Sequence, residues 1–136
     1  MDNIIQKEWV IMADLDQVNQ ICLEMAGWME ELGIKEHIFP VQILAREALN
    51  NAVIHGNNKD QYKKISCNLS LDSDDIRIKV SDEGTGFNWR KVIESGPTPT
   101  SNESGRGLWM YHLYADIIRF NAIGNQVELI RHLTRQ

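Results

Sequence analysis

The chain has 136 residues, 43% hydrophobic and 24% charged, with a net charge of −5. That length buries one core rather than two, and the acidic balance argues against a nucleic-acid partner, which needs a basic face for phosphates. No apolar run approaches the roughly 20 residues of a membrane span, and the start MDNIIQKEWV lacks the basic, apolar and small-residue succession of a secretory leader, so one cytoplasmic, soluble domain over 1–136 is the expectation.

The segment from Lys7 to Ala13 is short and apolar enough for a first strand, and Asp14 follows as a helix N-cap. From Leu15 to Leu32 the residues Val18, Ile21, Cys22, Met25, Met29 and Leu32 recur at spacings of three and four, and Gly33 stops the helix. Ile34 to Phe39 reads as a connection, and Pro40 is placed as an early residue of a second helix ending near His55 and Gly56. Lys64 to Leu71 alternates apolar and polar residues, as does Ile76 to Val80, and the polar turn between them predicts a hairpin. Asn88 to Ser104 holds Pro97, Pro99 and many small polar residues and reads as one long loop, with a short helix possible at Trp89 to Ile93. Gly107 to Ala115 looks helical, and Ile117 to Ala122 and Val127 to Leu133 look like closing strands joined by a tight turn at Gly124-Asn125.

This order predicts an α+β fold, a two-layer sandwich with helices on one face of a mixed, mainly antiparallel sheet. Cys22 and Cys67 have no CxxC spacing and no histidine cluster, so they read as two reduced thiols in or near the core. His37, His112 and His132 form no metal-ligand spacing, and His55 reads as a capping imidazole with a catalytic base as the competing reading. The tryptophans read as core or edge aromatics, Trp89 standing apart because it opens the long loop.

Three segments carry chemistry. In EALNNAVIHGN, Glu47 and Asn51 are four residues apart and stack on one helix face, while Leu44, Ala48 and Ala52 form a neighbouring stripe that can face the sheet. A carboxylate and an amide oxygen on adjacent turns suit a hydrated Mg²⁺ or a hydroxyl aimed at a phosphate; a solvated polar face is the alternative. In VSDEGTGFN, Asp82 ends a strand and Gly84 and Gly86 form a turn. The carboxylate can accept from an adenine amino group and the glycines admit a flat ligand, unless this is an ordinary surface turn. In SGRGLWMYHLYAD, Gly105, Arg106 and Gly107 stand at the start of a helix whose free amides suit phosphates, with Arg106 as an added charge; a simple glycine cap is the alternative.

Together these segments resemble the GHKL ATPases, the group of histidine kinases, DNA gyrase B and Hsp90, and most closely its anti-sigma-factor serine kinase branch. Glu47, Asn51, Ala52, His55 and Gly56 match the N box, Asp82, Gly84 and Gly86 the D-x-G-x-G motif, and Gly105, Gly107 and Leu108 the G-x-G-[LF] motif. The resemblance implies ATP and Mg²⁺, with Asn51 as metal ligand, Glu47 as general base, Asp82 selecting adenine, and Arg106 with its neighbouring amides on the phosphates. It places an ATP lid at about 88–104. Many members carry Thr or Ser after a glycine in the last hairpin, where this chain reads Gly124-Asn125-Gln126, so no site residue is assigned there.

There is no room for the phosphoacceptor hairpin of a sensor kinase or the following domains of gyrase and Hsp90. The resemblance therefore implies a protein-serine kinase that phosphorylates a small anti-sigma-factor antagonist and sequesters a sigma factor or similar regulator, as a homodimer. A non-catalytic ATP- or ADP-binding module that sequesters a regulatory partner is the alternative.

Overall fold

A computed structural model of the protein describes residues 3–56, 62–95 and 103–134. Strand β1 runs over Ile5–Met12, helix α1 over Leu15–Glu31 and helix α2 over Ile38–Asn51, with a 3-10 turn at Lys35–His37 before α2 and a π turn at Ala52–Gly56 after it. Strands β2 (Lys64–Leu71) and β3 (Asp75–Asp82) follow, then helices α3 (Trp89–Ser95) and α4 (Glu103–Tyr114), then strands β4 (Ile117–Phe120) and β5 (Gln126–His132).

The five strands form one sheet in the order β1-β2-β3-β5-β4, and each neighbouring pair is antiparallel. The expected α+β sandwich is therefore present, with an antiparallel sheet in place of a mixed one. β5 inserts between β3 and β4, so the chain leaves the sheet after β3, lays down α3 and α4, and returns first at the edge. This detour brings the ends of β3 and β5 side by side, with Ser81 opposite Gln126.

The core lies between the sheet and the helices. On β2 the alternation sends Ile65, Cys67 and Leu69 inward, and on β3 Ile76, Ile78 and Val80 do the same. From above, α1 supplies Val18, Ile21, Met25 and Met29, and α2 supplies Leu44, Ala45, Ala48 and Leu49, all buried. The small residues of α2 let its backbone sit close to the sheet, and Gln42 Nε2 donates to the Cys22 carbonyl at 2.9 Å, tying the two helices together. Both cysteines are free and buried, and burial pushes the Cys67 thiol up to about 12. His37 is buried as well, its Nδ1 accepting from Arg131 Nε at 3.1 Å, which gives it a structural role at the far end of β5.

Local signals explain most boundaries. Asp14 caps α1 by accepting from the Asp16 amide at 2.8 Å, and Gly33 turns the chain away with φ of 77°. Pro40 is the third residue of α2, where its missing N–H costs nothing. Three expectations are corrected. The second helix stops being α-helical at Asn51 and widens into a π turn. The last helix begins at Glu103, so Gly105 and Gly107 lie inside its first two turns and not ahead of it. The final strands are joined by the five residues 121–125 rather than by a two-residue turn. Among the described residues no helix is long and apolar enough to cross a membrane.

Candidate functional site

A cavity of about 200 Å³ opens between the helical layer and the ends of β3 and β5. One wall is α2 and the π turn after it, which present Ala48, Asn51 and Ala52; the floor is Val80, Asp82 and Val127; the opposite wall is α4, through Leu108 and Tyr111. Phe87, Trp89 and Phe120 close one end, and Gly124, Asn125 and Gln126 close the rim. The lining is thus largely apolar, with polar atoms from Asn51 and Asp82 and from the last turn.

The α2 wall follows from helix periodicity. Ala48 and Ala52 are buried against the sheet, and Glu47 and Asn51 lie on the adjoining stripe, half-buried. Gly107 explains how α4 can pass so near: a Cβ at this position would come 3.2 Å from Asn51 Nδ2 and 3.8 Å from Glu47 Oε2. A glycine here leaves room for Asn51, whose side chain would otherwise have to give way by a few tenths of an ångström. Asn51 Nδ2 donates to the Tyr111 hydroxyl at 3.4 Å across the same contact. Burial raises the Tyr111 hydroxyl above the ordinary phenol range, and the negative charge of Glu47 adds to the shift.

Asp82 ends β3, its own N–H donating to the Asn125 carbonyl at 2.9 Å. Its Oδ1 accepts the Gly84 amide at 2.7 Å, which folds the following turn back over the carboxylate. Desolvation raises the Asp82 carboxyl above its ordinary value, opposed by that amide bond and by Lys63. The other oxygen accepts nothing from the described residues and remains available to a donor in the cavity.

Beyond Asp82, two turns interlock through glycine. Gly86 has φ of 87°, and a Cβ there would collide with the Ile123 carbonyl. Gly124 has φ of 84°, and a Cβ there would lie 2.9 Å from Phe87 N and 3.0 Å from Trp89 Cδ1. Each turn thus occupies the space that a side chain on the other would need. Asn121 knots the second turn, its Oδ1 accepting the amides of Gly124 at 2.8 Å, Asn125 at 3.0 Å and Gln126 at 3.2 Å. Asn125 Nδ2 donates to the Gly84 carbonyl at 3.3 Å, and Trp89 Nε1 to the Asn121 carbonyl at 2.9 Å. Trp89 stacks on Phe120 at 5.4 Å and carries the Arg90 guanidinium over its ring at 4.3 Å.

The structure brings Asn51, Asp82, Gly86 and Leu108 to one cavity, with Glu47 beside Asn51 and Gly107 between the helices. Gly84 contributes its amide to Asp82 rather than a positive φ. Gly105 and Arg106 lie in the first turn of α4, whose leading amides have no partner within the helix; the Arg106 side chain falls outside the described residues. The expected lid at 88–104 begins as helix α3, and residues 96–102 lie outside the described residues.

Sequence reasoning missed Tyr111, Phe87, Phe120 and the turn 124–126. The run Asn121-Ala122-Ile123-Gly124-Asn125 was the available signal, a turn-rich stretch whose first asparagine can cap three amides.

The donor chemistry suits an adenine nucleotide with a hard cation. A largely apolar cavity with a carboxylate oxygen at its floor suits a purine carrying an amino group, and the oxygens of Glu47 and Asn51 are of the kind magnesium takes. A family model described as histidine kinase-like ATPase domain matches residues 11–131. Serine-protein kinase RsbW of Bacillus subtilis is 28% identical over 135 residues, 93% of this chain and 84% of the relative. RsbW of Bacillus velezensis is 27% identical over 120 residues, 82% of this chain and 75% of the relative. An anti-sigma F factor of Clostridium perfringens is 31% identical over 84 residues, 60% of each chain. Because the matched span runs from the end of β1 almost to the end of β5 and so includes every wall of the cavity, the chain belongs to the histidine kinase-like ATPase domain family.

Proposed function

We propose that the protein is a cytoplasmic, ATP-dependent protein-serine kinase of the partner-switching kind. It phosphorylates a small antagonist protein and otherwise sequesters a sigma factor or similar regulator. The observation that carries this reading is the pairing of Glu47 and Asn51 on one turn of α2 beside the cavity, with Gly107 of α4 packed close to Asn51. A module that only binds nucleotide needs oxygen donors for the metal but no second carboxylate next to them. The names of the relatives, two serine-protein kinases and an anti-sigma F factor, point the same way.

In this reading adenine lies between α2 and the floor, its amino group donating to Asp82. The phosphates run toward the first turn of α4, whose unpaired amides receive them, with Arg106 adding charge. Asn51 and the phosphate oxygens would hold Mg²⁺, which offsets phosphate charge when bound. Glu47 accepts the proton of the partner's seryl hydroxyl as its oxygen bonds to the γ-phosphorus and the bond from that phosphorus to the bridging oxygen of ADP breaks. The charge added to the antagonist changes which partner the protein holds. A homodimer belongs to the same reading and is measured by sedimentation.

The test is to incubate the protein with Mg·ATP and the candidate antagonist and to look for phosphoserine. Transfer is expected. Tight nucleotide binding without transfer to any antagonist that binds the protein would leave a non-catalytic sequestering module instead.

A further inference from the structure

Tyr111 sits on α4 one turn beyond Gly107, in a position the three motifs do not include. It is 3% exposed, lines the cavity, and its hydroxyl accepts Asn51 Nδ2–H at 3.4 Å. Phenylalanine would fill the same space. The hydroxyl is buried at a cost that only a partner offsets, and among the described residues that partner is Asn51.

An asparagine amide has two unlike branches, a donor and an acceptor, exchanged by a half turn about a broad terminal torsion. Only the oxygen branch can bind a cation. At Asn51 the amino branch is engaged by Tyr111, and the same branch is faced by the α4 backbone, since a Cβ on Gly107 would come 3.2 Å from Nδ2. The oxygen branch accepts no hydrogen bond from the described residues and is not among their buried unpaired atoms. A phenol oxygen can accept an amide N–H, and that is the bond the structure holds between these two side chains.

We propose that Tyr111 is a positioning residue that fixes the flip of the Asn51 amide, so that Oδ1 is presented to the divalent cation of the nucleotide complex. This rests on the reading of Asn51 as a metal ligand and extends it to a cavity-wall residue that acts on the metal through Asn51.

The experiment measures ADP affinity as a function of Mg²⁺ concentration, and again in EDTA, for the wild type and for Tyr111→Phe, Asn51→Ala, Asn51→Asp and the Tyr111→Phe/Asn51→Asp pair, with circular dichroism reporting the fold. Tyr111→Phe should raise the Mg²⁺ concentration needed for half the effect by about tenfold, the size seen when groups that orient a metal ligand are removed. Phenylalanine keeps the ring that lines the cavity, so the variant's ADP affinity should fall far less in EDTA than in Mg²⁺. In the Asn51→Asp background the same change should cost less than about twofold, because both branches of a carboxylate are oxygens and no flip has to be chosen.

An equal loss in both backgrounds, or a loss as large in EDTA as in Mg²⁺, would assign Tyr111 to packing and overturn the proposal. Unchanged Mg²⁺ dependence in Tyr111→Phe, with that of Asn51→Ala lost, would overturn it and leave the Asn51 reading intact. Unchanged dependence in Asn51→Ala would remove both.

Discussion

Glu47 and Asn51 are separated by one helical turn and by one chemical difference. A carboxylate can accept a proton at neutral pH, whereas an amide can offer only its oxygen. Glu47→Gln keeps the shape and removes the basicity, so phosphoryl transfer should fall by about 10²–10⁴-fold, the range of a lost general base, with ADP affinity little changed. Single-turnover transfer measured beside equilibrium binding checks this, and near wild-type transfer would take the base role away from Glu47. Asp82 makes a different statement. Desolvation favours its protonated form in the folded chain, so its contribution to stability is present below the ordinary carboxyl range and is lost as pH rises through the raised value. At neutral pH the ionised group is therefore a cost. Asp82→Asn keeps an oxygen for the Gly84 amide, should melt at a higher temperature than the wild type at pH 7, and should lose that advantage toward pH 3 while binding ATP poorly. A lower melting temperature at pH 7 would show that the carboxylate is stabilised by its setting.

At the scale of elements, the legible parts were those whose signals are local. The alternation of Ile65, Cys67 and Leu69 and the three-and-four spacing on α1 report a half-buried surface, and half-buried surfaces dominate this fold. The two motifs on α2 and at the end of β3 were legible for the same reason, since each is set by one helix face or one strand end. The start of α4 was not, because Gly105 and Gly107 weaken a helix in isolation, and the close contact between Gly107 and Asn51 is tertiary. Nor could the sequence pair Gly86 with Ile123, or Gly124 with Phe87, contacts made across the detour through α3, α4 and β4. That interlock carries its own test. Gly86→Ala meets both an unfavourable φ and the Ile123 carbonyl, so the two turns must separate, at a cost of about 1–3 kcal/mol or more. Denaturant unfolding should show the loss, and Trp89, held to the second turn through Asn121, should change its emission as the turns part. Gly27, whose Cβ would meet nothing, is the control and should tolerate alanine far better.

Across the whole molecule, the cavity joins residues from Ala48 to Val127, so each of its walls is distant in sequence from at least one other. No single segment can form the site alone, and an unfolded chain should have no affinity for the nucleotide. Binding must then appear as stability. At a free Mg·ADP concentration of 100 times Kd the folded state gains about 2.7 kcal/mol. For a chain between the small and medium size classes this corresponds to a rise in Tm of roughly 10 °C. Part of that gain comes through the metal in the proposed reading, so the rise should shrink when Mg²⁺ is replaced by EDTA, and Asn51→Ala should show the same small rise in both conditions. A scan with nucleotide and metal varied separately, on the wild type and on that variant, decides the matter. A full rise that ignores Mg²⁺ in the wild type would mean that the nucleotide is held by Asp82 and the largely apolar cavity alone. Asn51 would then be a cavity-lining amide bonded to Tyr111, without a metal to hold.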